Sequence, residues 1–94
     1  MNRAYASLQL AELSSAIKNV IADIDAGHYD DDGDLSYEVA LGHLMDHLSL
    51  AWHYSRMTDD EVERVSQEQF ENLTTAIPKF QYNLRLVELH EKVV

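Results

Sequence analysis

Ala6, Leu10, Leu13, Ile17, Val20 and Ile24 recur at spacings of 4, 3, 4, 3 and 4. Such a run lies along one line of an α-helix, whereas a strand changes face at every residue. The pattern predicts a helix from about Asn2 to Ala26, with that stripe turned to a core and Glu12, Ser15, Asn19 and Asp23 on its wet side. Gly27 follows where helices commonly end in the left-handed conformation that glycine tolerates. The 94 residues contain only three glycines and one proline, and β-branched residues nowhere alternate with polar ones over a strand's length. Helical period therefore governs the rest of the chain.

After the loop His28–Asp34, Ser36 is the expected N-cap of a second helix, with Leu35 as a staple residue and Glu38 in the first turn, where the helix dipole favours an anion. This helix is expected to reach about Met57. Its stripe is Tyr37, Leu41, Leu44, Leu48 and Ala51, with Met45 and Trp52 beside it. Thr58 and Glu61 form a capping box, which starts a third helix. Val62 and Val65 are out of phase with the following stripe of Phe70, Leu73, Ile77, Phe80, Leu84 and Val87, and Ser66 with Gln69 offers a second box. The third helix is thus expected to break near Ser66, to kink at Pro78 and to run to about Lys92. The expected fold is all-α: one domain over residues 1–94, an antiparallel three-helix bundle completed by dimerisation.

The dimer is expected from second apolar faces. Tyr82, Leu86, Leu89 and Val93 recur at 4, 3 and 4 on helix three. Val39, His43, His47, Leu50, Tyr54 and Met57 recur at 4, 4, 3, 4 and 3 on helix two. Two residues turn a helix by about 200°, so these faces point away from the main stripes. A helix apolar on both sides is normally buried, and two-fold symmetry is the commonest way to bury such a face. The alternatives are that helix three folds back to bury both faces, or that a different protein covers them.

Charge narrows the function classes. There are 17 acidic and 7 basic residues, for a net charge of −10, so nucleic acid would be repelled. The absence of cysteine excludes disulfides and zinc–thiolate sites. The N-terminal segment has no signal-peptide pattern, and no run approaches the ~20 apolar residues of a membrane span, so a cytoplasmic location is expected.

His43 and His47 lie four apart on helix two, with Asp46 beside them, a spacing that suits a transition metal. The inward stripes of helices one and three add no ligand, so no cofactor is expected and a His43/His47 metal site is the alternative. In the acidic loop, Asp30, Asp32 and Asp34 fit positions of a calcium loop around Gly33, but His28 and Val39 occupy its end-ligand positions. Arg85 and His90 form an R-x-x-x-x-H spacing that resembles the ribonuclease motif of HEPN-type helical domains. Leu86 stands where that family usually carries a polar residue, and the likeness spans six residues, so no family follows from it. The functional expectation is a non-enzymatic acidic helical interaction protein that self-associates or binds a protein partner. The alternatives are a helical metalloprotein or an inhibitor of a basic nucleic-acid-binding protein.

Overall fold

The computed structural model describes residues 1–31 and 35–75. Among them the chain is entirely helical outside its turns, with α1 at Arg3–Asp25, α2 at Leu35–Ser55, α3 at Asp59–Glu63 and α4 at Gln67–Thr75. Pro78, the stripe beyond Thr75, the Arg85/His90 pair and three residues of the acidic loop (Asp32, Gly33 and Asp34) lie outside the described residues.

Asn2 explains why α1 begins where it does. Its side-chain oxygen accepts the Tyr5 N–H at 3.3 Å, filling one of the donors that a helix start leaves open. Its side-chain amide donates to the Met57 carbonyl at 3.0 Å and to Asp59 Oδ1 at 2.8 Å, and its backbone N–H donates to the Ser55 carbonyl at 2.7 Å. One residue therefore caps α1 and ties it to the junction of α2 and α3. The other end of α1 closes as a Schellman motif: Gly27 N–H donates to the Ile24 carbonyl and His28 N–H to that of Asp23, each at 3.0 Å, with Gly27 at φ 77°.

Pairings run in opposite senses along α1 and α2. Asn2 meets Ser55, the Tyr5 and Tyr54 rings meet edge to face at 6.1 Å, Gln9 meets His47, and Tyr29 beyond α1 meets Tyr37. The two helices form an antiparallel hairpin. Ser36 lies inside α2, which begins at Leu35, so it is not the N-cap expected from the sequence.

Both capping boxes form. Thr58 N–H donates to Glu61 Oε1 at 3.1 Å and Glu61 N–H to Thr58 Oγ at 3.2 Å. Ser66 N–H donates to Gln69 Oε1 at 2.9 Å and Gln69 N–H to Ser66 Oγ at 3.1 Å. The second box divides the expected third helix at the predicted place, because its start turns the chain off the α3 axis. On one side of the hairpin Val62, on α3, joins Leu50 and Tyr54, with Tyr5, Met57, Val65 and Leu73 packed around them. The Ser49 hydroxyl, fully buried, donates to the Leu73 carbonyl at 2.6 Å and locks α4 to α2.

This packing corrects the stripe assignment. Leu50 and Tyr54, expected at a subunit contact, are core residues at 4% and 8% exposure, and Met57 packs against them. Leu41 and Leu48, expected inside, are exposed. The physical reason is that α3 and α4 fold back onto α2 and bury the line through Leu50 and Tyr54. On α1 the inward line is Tyr5, Gln9, Leu13, Ala16 and Val20, rotated so that Leu10, Ile17 and Ile24 stand outside.

Candidate functional site

The hairpin has two unlike sides. On one, α3 and α4 cover Leu50 and Tyr54. On the other run two apolar ridges. Leu10, Ile17, Ile21 and Ile24 form the ridge of α1, and Leu41, Met45, Leu48 and Trp52 that of α2. Each ridge is displaced from its helix's inward line by about 90° in the same rotational sense. In an antiparallel pair, equal displacements fall on the same side, so the ridges flank one seam. All eight side chains are between 37% and 52% exposed. Single exposed apolar residues are ordinary; eight on one side of a hairpin set this side apart from the covered one.

Charge is distributed unevenly around this face. Arg56, four residues after Trp52, lies over its indole ring at 4.9 Å. Arg3 and Arg56 line the same cleft at the end where α1 starts and α2 finishes. At the loop end stand Asp25, Asp30, Asp31 and Glu38, all exposed, and among the described residues no lysine or arginine accompanies them. Glu38 lies three and seven residues before Leu41 and Met45, on the outer flank of the α2 ridge.

The two histidines singled out by spacing lie in different surroundings. His47 turns toward α1, where its Nδ1 shares a hydrogen bond of 2.9 Å with Gln9 Oε1 and lies 3.6 Å from a Glu12 carboxylate oxygen. His43 is exposed and Asp46 half-buried. Among the described residues no three His, Asp or Glu side chains gather as a metal would require. The region around His47 is a shallow polar groove lined by Glu12, Ser15 and Asn19, on the side away from the apolar ridges.

Tyrosines mark the closed side. Burial raises the Tyr54 hydroxyl above its ordinary pKa. Burial, and the nearby Glu63 carboxylate that accepts its hydroxyl at 3.4 Å, raise Tyr5. Near the loop, burial and then Asp23 raise Tyr29, which donates to that carboxylate at 3.3 Å.

Of the interface residues expected from the sequence, Val39 is exposed. Leu50, Tyr54 and Met57 belong to the core, and Tyr82, Leu86, Leu89 and Val93 lie outside the described residues. The sequence reading missed Arg56 and Arg3, whose signal was their spacing from the ridges. It also missed Gln9, a buried polar residue four after Tyr5 on the inward line. No helix among the described residues is long and apolar enough to cross a membrane. In comparisons with known proteins, no family model matches the chain, and neither a curated protein nor a solved structure matches it.

Proposed function

We propose that this chain is a non-enzymatic, acidic helical interaction protein whose working surface is the side of the α1–α2 hairpin left bare among the described residues. The observation that carries the reading is the pair of exposed ridges on one side, with Trp52 and Met45 among them. Aromatic residues and methionine are enriched at protein interfaces, and burying such a face supplies the main driving force of association. The antiparallel three-helix bundle and its completion by association belong to the same proposal. Association would close the bare side.

Site-specific photo-crosslinking in the native host tests the surface. A crosslinker at Met45, on the bare side, is expected to give discrete protein adducts. One at Glu63, beside α3's end of the covered side, is expected to give none. No adduct from Met45, or equal adducts from both positions, would overturn the assignment.

A further inference from the structure

We propose that the bare side of the hairpin is covered by a second copy of this chain, packed face to face with its ends reversed. This rests on the interaction-surface reading and adds the identity and orientation of the partner. The argument is charge placement. The face is basic at one end, where Arg3 and Arg56 share a cleft, and acidic at the other, where Glu38 and Asp25 stand. Asp59 lies at the basic end too, held by the Asn2 amide at 2.8 Å.

Two hairpins packed on these ridges give a four-helix bundle, and a two-fold axis has two simple placements in the shared plane. An axis along the helices sets Arg56 of one copy at Arg3 of the other and Glu38 at Asp25, which is repulsive at both ends. An axis across the helices sets Arg56 of one copy at Glu38 of the other, and Arg3 at Asp25. The geometry favours the second. The midpoint between Arg3 and Asp25 on α1 is Ser14, and that between Glu38 and Arg56 on α2 is His47. The pairing of Gln9 with His47 sets these midpoints five residues, about 7.5 Å, apart along the hairpin, an offset that arginine and carboxylate side chains can span. One axis therefore serves both charge pairs. A chain of net charge −10 gains an orientation rule from such pairs, since a wrong alignment adds local repulsion to the overall one.

The test is light scattering of the full chain over a concentration series at low salt, with four proteins: wild type, Arg56→Glu, Glu38→Arg and the double swap. Wild type is expected at twice the monomer mass. Each pair occurs twice in a two-fold dimer, so either single reversal should weaken association roughly tenfold. The double swap should restore it. A wild type that is monomeric at high micromolar concentration overturns the proposal, as does a double swap weaker than both single variants. Leu48→Asp should give a monomer of unchanged helicity; a dimer that survives it places the contact elsewhere and overturns the proposal. Binding of the monomer to anionic vesicles in place of dimerisation would also overturn it. Monomeric wild type together with Met45 adducts to another protein removes the second copy and leaves the interaction surface standing. A dimer surviving Leu48→Asp with no Met45 adduct removes both.

Discussion

The covered and bare sides of the hairpin are built from similar residues and meet opposite fates. Leu48 and Leu50 are two positions apart on α2, yet Leu48 is 45% exposed and Leu50 is 4% exposed. What separates them is not hydrophobicity but what the chain does after Ser55. The Thr58 box starts α3, the Ser66 box redirects α4, and both returns land on the Leu50 side. Burial on α2 is decided by the caps of the short helices that follow it.

The strongest way to break this comparison is at its closed side. Leu50→Ala removes a side chain from the cluster of Tyr54 and Val62 and leaves a cavity. It is expected to lower the unfolding free energy by about 3 kcal/mol. Chemical denaturation with a loss under 1 kcal/mol would mean that this cluster is not the core. Next comes Asn2→Ala, which loses the α1 cap and the links to Met57 and Asp59 together. A loss of about 2 kcal/mol is expected, against about 1 kcal/mol for Thr58→Ala, which loses a cap alone. Equal losses in the same denaturation series would show that the long-range bonds of Asn2 contribute nothing.

The tyrosines sharpen the contrast through pH. Tyr54, Tyr5 and Tyr29 have hydroxyl pKa values raised on folding, so the unfolded chain releases these protons first. Their contribution is intact below the ordinary tyrosine pKa near 10 and declines as pH rises above it. The melting temperature is expected to fall from about pH 10 upward. Tyr5→Phe should reduce that slope, because its hydroxyl sits against Glu63. An unchanged slope in Tyr5→Phe would remove Tyr5 from the account.

Most local signals are legible in the sequence, Ser36 inside α2 excepted, and their short reach explains what is not. Gly27 after α1, the Thr58 box and the break at Ser66 are set by a few adjacent residues, and each is found where its chemistry placed it. The choice between two apolar stripes on α2 is not local. Tyr37–Leu41–Leu44–Leu48–Ala51 and Leu50–Tyr54–Met57 have equally good helical period; the packing buries Ala51 of the first and Leu50 and Tyr54 of the second and leaves Leu41 and Leu48 exposed. Asn2 was legible as a polar residue ahead of a helix. Its bonds across 55 and 57 positions of sequence were not. The His43/His47 spacing placed both rings on neighbouring lines, but Gln9, on another helix, determined what His47 met.

The smallest expected effect is the most diagnostic of the bare side. Leu48→Ser trades a large apolar side chain for a small polar one at a position that α3 and α4 do not cover. In dilute solution, where association is lost, the substitution should shift unfolding free energy by no more than about 0.5 kcal/mol, the range of ordinary surface changes. Helix propensity accounts for most of that, since serine is a weaker helix former than leucine by a few tenths of a kcal/mol. At high concentration the same substitution should cost more, because assembly adds to stability only in proportion to the associated fraction. Thermal denaturation of wild type and Leu48→Ser at two concentrations a hundredfold apart separates the cases. A large loss at both concentrations would mean that Leu48 is buried within the monomer, and that the hairpin has no bare side.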